Sequence, residues 1–156
     1  MTKERIDELI SISEEKNRLL FEMQEITKRQ REEIKEEDME KLNEILDKKN
    51  NIIKKIDRLD TSFLSIFSQI KRDEKVQDID ELDIKRYSNL RELKKIVKEV
   101  SSTLIAISLI DEENNNFMKE KLEETKMEIR KIKDGKKAYK GYNTTIIGSI
   151  LIDEKK

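Results

Sequence analysis

Carboxylates are the main residues in this chain that could support chemistry, because the sequence contains neither cysteine nor histidine. Without these two residue types it offers no thiolate metal site, no disulfide framework and no histidine-assisted nucleophile. The acidic run from Asp78 to Asp83 is similar to the start of a calcium-binding loop. It lacks the central glycine, however, and has Leu82 where a ligand is expected and Asn89 where the bidentate acid belongs. We therefore interpret this run as helix capping and solvation, and we predict no metal site and no cofactor.

Other carboxylates are numerous, but helical spacing places them on solvated faces with no pocket in which a reaction could proceed. Glycine-rich loops that bind phosphates or nucleotides are also absent. The sequence therefore predicts no catalytic residues and a protein that is not an enzyme.

Helix-breaking residues are confined to the C-terminal end of the chain. The sequence has no proline, and its three glycines are Gly135, Gly141 and Gly148, whereas globular proteins average about 7% glycine and 5% proline. Charged residues make up 44% of the chain and hydrophobic residues 35%, which is typical of coiled coils and thin helical bundles. We predict an all-α protein with a helical, coiled-coil-like domain over residues 1–134 and a distinct glycine-containing tail over residues 135–156.

Hydrophobic residues recur with helical spacing in three long segments. The first segment ends at an acidic stretch before Asp38, whose side chain can cap the next helix. The second has the clearest pattern, with apolar steps of three or four from Met39 to Ile70 and a further apolar row beside them. The third begins near Leu90 and weakens around Asn114, so it is either one long helix or two. Because short connections favour antiparallel neighbours, we predict an elongated antiparallel helical hairpin that forms a bundle with the third long helix.

The segment from Val100 to Ile110 contains no charged residue. A helix that is apolar on several sides is typical of the centre of a bundle. The alternative is an exposed groove that binds a helix of another protein. In that case Leu104 and Ile107 would contact the partner.

The segment from Asp134 onward contains apolar residues without a helical pattern. It either folds back to complete the bundle or is available to a partner protein, and the residues leave both possibilities open. Our hypothesis is that this tail binds a partner. The apolar residues predicted to contact it are Ile146, Ile147, Ile150, Leu151 and Ile152.

Net charge is close to zero, since 34 basic residues oppose 35 acidic ones. Such a chain lacks the positive field that drives binding to nucleic acids. One local basic cluster, opposed by Asp134 alone, would either dock an acidic partner surface or complement the C-terminal end of a helix dipole. Its members are Arg130, Lys131, Lys133, Lys136, Lys137 and Lys140.

Two uncharged stretches, from Val100 to Ile110 and from Gly141 to Ile152, are both shorter than the roughly 18 to 20 residues of a membrane span. The N-terminus is charged from Lys3 onward and lacks the apolar core of a signal peptide. We therefore predict no membrane span and a cytoplasmic location.

The stretch from Asp38 to Asp60 combines an acidic start, repeated leucines and an I-D-x-L ending at Leu59. This pattern resembles the second helix of the FlgN-type flagellar export chaperones. The asparagine patch from Asn114 to Asn116 and the tyrosine-bearing tail are also similar to members of that family, so the resemblance covers nearly the whole chain. The FliT-type chaperone of the filament cap has a similar hairpin. A self-associating structural coiled coil is the alternative from a different class of protein.

The resemblance to the FlgN-type family implies a cytoplasmic chaperone that binds the hook–filament junction proteins, prevents their premature assembly and delivers them to the export gate. It also implies that the C-terminal region binds these clients and that a tyrosine docks to the export gate protein. Tyr139 and Tyr142 are the two candidates. We expect a monomer or a weak homodimer.

Overall fold

Three long helices dominate the computed structural model, which describes the backbone of residues 1–142 and the side chains of residues 1–137. Helix α1 spans Thr2–Glu36, α2 spans Met39–Glu74 and α3 spans Leu90–Tyr142, and a short 3-10 helix covers Ile79–Glu81. Residues 1–142 contain no β-strand. The predicted all-α class with three long helices is confirmed.

The chain divides into two compact units, Met1–Asn114 and Asn115–Lys156. The first unit contains α1, α2 and the N-terminal part of α3. The second unit begins within α3, and its side chains are described as far as Lys137.

A tight turn joins α1 to α2 at the position that the acidic stretch predicts. Glu37 adopts the left-handed conformation with φ of 57°, and its N–H donates to the last carbonyl groups of α1. Asp38 then caps α2, since its carboxylate accepts a hydrogen bond of 3.1 Å from the N–H of Lys41. This cap satisfies one of the free N–H groups that every helix start leaves.

Helices α1 and α2 run antiparallel, as predicted. Thr2 at the start of α1 donates to Glu74 at the end of α2, and Lys49 near the start of α2 donates to Gln30 near the end of α1. Between these contacts, Lys16 forms an ion pair with Asp60. Residue numbers that increase along α1 therefore face residue numbers that decrease along α2.

Helices α1 and α3 run parallel within the first unit. Thr103 donates to the amide oxygen of Asn17, and Asn114 donates to the main-chain carbonyl of Thr27, at sequence separations of 86 and 87 residues. A separation that stays nearly constant along two helices means that both run in the same direction. The first unit is therefore an up-down-up bundle of three helices.

Two clusters of buried residues form the core of this unit. One lies near the start of α1 and contains Ile6, Leu9, Ile10, Ile70, Leu82, Tyr87, Leu90, Leu93 and Ile96. The other lies further along the bundle and contains Leu19, Leu20, Met23, Ile26, Ile45, Ile52, Val100 and Ile107. Each cluster draws side chains from all three long helices.

Carboxylates of the acidic run between α2 and α3 accept hydrogen bonds from the backbone, as the capping interpretation predicts. Asp78 accepts a hydrogen bond of 2.7 Å from the N–H of Ile79 and belongs to a capping box with Glu81. Asp83 accepts one of 2.9 Å from the N–H of Lys85. These carboxylates therefore satisfy backbone donors in the turn.

Helix α3 is a single helix of 53 residues that passes through Asn114 without a break. It also continues through Gly135 and Gly141, so the expectation that helical structure ends at Asp134 is wrong for residues 135–142. A glycine inside a helix costs only about 1 kcal/mol relative to alanine, and the neighbouring lysines and alanine favour helix. Residues 143–156 lie outside the described part of the chain, so the division into a helical domain and a tail stays a prediction.

Candidate functional site

A row of residues with steps of three or four runs along α3 and divides at Asn114, where the first unit ends. Up to that point its members face the core, and all but the half-buried Asp111 are buried: Leu90, Leu93, Ile96, Val100, Thr103, Ile107 and Asn114. Beyond it the row continues with Met118, Leu122, Thr125, Ile129 and Ile132. We call these last five residues the apolar stripe.

Within the first unit, only one side of the uncharged segment of α3 is covered. Val100, Thr103 and Ile107 are buried, whereas Ile105 and Leu109 on the opposite side are exposed. The bundle-centre interpretation holds for the inner side, where Val100 and Ile107 pack with side chains of both α1 and α2. The outer side is exposed, and partner binding there stays a prediction.

Leu104 lies at the edge of this exposed surface and also borders a cleft of about 230 Å³. Lys16, Asp60 and Phe63 line the same cleft. The ammonium group of Lys16 lies 2.7 Å from the carboxylate of Asp60, so the cleft combines apolar walls with a satisfied ion pair. Leu104 is thus placed where a partner could reach it.

Ile107 is not placed with Leu104 on the surface. Its side chain is buried in the same cluster as Leu19 and Ile52. A partner at the outer side of α3 would meet Ile105 and Leu109 instead. We therefore do not use Ile107 in the proposals below.

In the second unit, the apolar stripe is exposed along the helix. Met118, Leu122, Ile129 and Ile132 have between 42% and 59% of their surface accessible. Thr125, in the middle of the stripe, donates its hydroxyl to the carbonyl of Lys121 at 3.0 Å. Its polar group is therefore satisfied within the helix and would not prevent the stripe from binding an apolar surface.

Ionisable groups with a shifted pKa lie outside this stripe. Glu74 accepts hydrogen bonds from the hydroxyls of Tyr87 at 2.6 Å and Thr2 at 2.7 Å. These bonds, that from Tyr87 foremost, lower the pKa of the Glu74 carboxyl below its ordinary value of 4.5. The group connects the start of α1, the end of α2 and the segment before α3, which is a structural role.

The described residues contain no group of three or more histidine, cysteine, aspartate or glutamate side chains placed to hold a metal ion. Among residues 1–142, no helix is both long and apolar enough to cross a membrane. Exposed apolar side chains on α3, such as Ile105, Leu109 and Leu122, suit the binding of another protein.

A family model described as FlgN protein matches residues 1–145. The chain belongs to the FlgN family. This is a family of flagellar export chaperones, so the predicted FlgN-type resemblance is confirmed. Comparisons with curated proteins and with solved structures gave no match.

The remaining predicted site residues of this FlgN-family chain lie either in the last turns of α3 or outside the described residues. Tyr139 and Tyr142 belong to the last turns of α3, and their side chains lie outside the described residues. Ile146, Ile147, Ile150, Leu151 and Ile152 lie outside the described residues. The apolar stripe is not among the predicted binding residues, although its helical spacing is visible in the sequence.

Proposed function

We propose that this FlgN-family protein is a cytoplasmic chaperone that binds the hook–filament junction proteins, prevents their premature assembly and delivers them to the export gate. The observation that carries the proposal is the exposure of the apolar stripe on a helix that belongs to a chaperone family. A chaperone of this kind must cover the apolar surfaces through which its clients would otherwise assemble.

The stripe suits a helix-in-groove contact, because Leu122, Ile129 and Ile132 recur at the spacing by which one helix meets another. Each of these side chains is about half exposed. Burying the exposed half contributes roughly 1 kcal/mol per residue, since full burial of such a side chain contributes about 1.5 to 3 kcal/mol. The client would contribute a similar amount from its own apolar side chains.

This gain is modest beside the cost of association, which is at least about 4 kcal/mol. The described stripe alone therefore supports weak and reversible binding. A stable complex needs further contacts, and two sets of residues could supply them, of which Leu104 and the tail residues are predicted from the sequence. They are Leu104 and its exposed neighbours Ile105 and Leu109 in the first unit, and the five apolar residues of the tail, Ile146, Ile147, Ile150, Leu151 and Ile152.

Titration calorimetry with the full-length chain and a purified junction protein tests the role of the stripe. In one variant, Leu122→Gln and Ile129→Gln remove two apolar side chains and keep good helix formers. We expect at least a tenfold loss of affinity, because roughly 2 kcal/mol of burial is removed. The matched control is Met127→Gln, since Met127 is equally exposed but lies outside the stripe. Unchanged affinity in the double variant, with helicity verified by circular dichroism, would contradict the proposal.

The contribution of the tail is tested by truncation. Removing residues 143–156 keeps all of α3, whereas removal from Gly135 also shortens the helix. We expect the shorter deletion to weaken client binding and leave circular-dichroism helicity nearly intact. Equal client affinity before and after this deletion would assign binding to residues 1–142 alone.

Delivery to the export gate is a separate step in the proposal. We expect replacement of Tyr139 or Tyr142 by alanine to weaken docking to the purified gate protein more than binding of the client. A pull-down that measures both interactions with the same variant distinguishes them. Equal losses in the two interactions would contradict a separate docking role.

A further inference from the structure

The charged residues beside the apolar stripe are mostly basic. If the stripe occupies the a and d positions of a heptad, the e and g positions beside it face the edges of a partner helix. Between residues 118 and 134, four of these positions are lysine and one is glutamate. They are Lys119, Lys121, Lys126, Lys133 and Glu128.

The opposite side of the same helical segment has the reverse balance. Four acidic residues there stand against two basic ones. The acidic residues are Glu120, Glu123, Glu124 and Asp134, and the basic residues are Arg130 and Lys131. The charge is therefore separated around the helix, with positive edges beside the stripe and a more negative back.

The ion pair between Lys126 and Glu123 does little to neutralise these edges. Lys126 lies 3.5 Å from Glu123, but both side chains are exposed, and such a pair contributes little because water screens it. Lys121 lies over the ring of Phe117 at 5.8 Å, which is within the range of a cation–π contact. The stripe therefore lies between edges that carry net positive charge.

We propose that the apolar stripe selects a partner helix with acidic residues on both sides of its own apolar face. This inference rests on the proposed function, because it specifies the chemistry of the client segment. Lysines at the e and g positions attract carboxylates across a helix pair and repel lysines, so they set partner choice as well as orientation.

The same pattern opposes pairing with a second copy of the chain. In an antiparallel pair, like positions face one another, so Lys119, Lys126 and Lys133 would face lysines of the partner. In a parallel pair, Lys121 would face Lys126, and only Glu128 would meet an opposite charge. The charge pattern therefore favours a different protein over self-association.

Three synthetic amphipathic peptides with the same apolar face provide the test. Their flanking positions carry glutamate, glutamine or lysine, and fluorescence anisotropy measures their binding to the full-length protein. We expect the glutamate peptide to bind at least about tenfold more tightly than the lysine peptide at low salt, since several exposed pairs change from repulsive to attractive. The difference should shrink at about 1 M salt, where the Debye length falls to roughly 3 Å.

A charge-reversed variant should invert this preference: Lys119→Glu, Lys126→Glu and Lys133→Glu. The matched control makes an equal change of charge on the opposite side of the helix and should keep the original preference: Arg130→Glu, Lys131→Glu and Lys137→Glu. If both variants shift the preference equally, only net charge matters and the inference is overturned.

Two further outcomes separate this inference from the proposed function. Equal binding of all three peptides would overturn the acidic partner while leaving an apolar docking surface and the chaperone role in place. Failure of every peptide to bind would overturn the stripe as a docking surface altogether. A dimer in light scattering that Leu122→Glu disrupts would assign the stripe to a second copy and would also overturn the inference.

Discussion

Asn114 on α3 donates its side-chain amide to the main-chain carbonyl of Thr27 on α1 at 2.9 Å, and both residues are buried. The amide oxygen of Asn114 in turn accepts a hydrogen bond of 3.1 Å from the guanidinium group of Arg31. Asn17 and Thr103 form a second buried polar pair between the same two helices. The Asn114 amide reaches the Thr27 carbonyl only at one alignment of the two helices, so this hydrogen bond fixes the register of α1 against α3. The Asn17–Thr103 pair adds to it, although the Thr103 hydroxyl also lies 3.0 Å from the carbonyl of Glu99 on its own helix.

Replacing Asn114 by alanine should therefore lower the free energy of unfolding by about 1 to 3 kcal/mol, since the Thr27 carbonyl would lose a buried partner. Urea denaturation followed by circular dichroism measures this change. Asn115→Ala is the matched control, because Asn115 is exposed on the next position of the same helix. Alanine favours helix over asparagine, so the control should be neutral or slightly stabilising. Similar losses in the two variants would argue against a role for the buried hydrogen bonds.

Glu74 should make the stability of the protein depend on pH in the acidic range. Its folded-state pKa lies below the ordinary value of 4.5, chiefly because Tyr87 donates to the carboxylate. A lowered carboxyl pKa adds stability that is fully present above about 4.5 and is lost as the pH falls through the folded-state value. Protonation removes the charge that strengthens the hydrogen bonds from Tyr87 and Thr2.

The test compares the wild type with Glu74→Gln by urea denaturation between neutral pH and pH values well below 4.5. We expect the wild type to be more stable at neutral pH and the difference to narrow as the pH falls. Tyr87→Phe should reduce the pH dependence, because the largest cause of the lowered pKa is removed. A difference between wild type and Glu74→Gln that stays constant with pH would contradict the role assigned to this carboxylate.

Much of the fold follows from local signals in the sequence. Asp38 predicts the start of α2 because a carboxylate at that position satisfies free N–H groups, and the structure shows that hydrogen bond. The apolar spacing predicts the three long helices because each helix must bury one face. The parallel direction of α1 and α3 follows from an up-down-up path with a short first connection and a longer second one.

Exposure along α3 was harder to predict, because spacing marks an apolar face without saying what covers it. Positions 105 and 107 are both isoleucine and have nearly the same sequence neighbours, yet only Ile107 is buried. The apolar stripe continues the same spacing as the buried residues of α3, so spacing alone did not distinguish the two.

The glycines misled the prediction for a related reason. Gly135 predicts a helix end only if the flanking residues cannot compensate for its conformational freedom. Lys136, Lys137 and Ala138 are favourable helix residues, and the helix continues through them. A Cβ atom added at Gly135 would have no neighbouring atom within 4 Å. Close packing therefore does not require glycine at this position.

A pair of isoleucines on α3 separates the roles of core and surface within the uncharged segment. Ile107 is only 7% exposed and packs in the core, whereas Ile105 is 63% exposed. Ile107→Ala should lower the free energy of unfolding by about 2 to 5 kcal/mol, because it removes buried methyl groups and leaves a cavity. Ile105→Ala should change it by less than about 0.5 kcal/mol, as is usual for surface substitutions.

The two substitutions change the helix propensity equally, so urea denaturation compares burial directly. Client binding provides the second measurement. If the outer side of α3 adds to the client contact, Ile105→Ala weakens binding without loss of stability, and Ile107→Ala weakens it only under conditions in which the variant unfolds. The opposite pattern, with a stable Ile107→Ala variant that no longer binds the client, would show that Ile107 contacts the partner itself. Its burial in the core makes that result unexpected, since a client would have to separate α3 from α1 and α2 to reach this side chain.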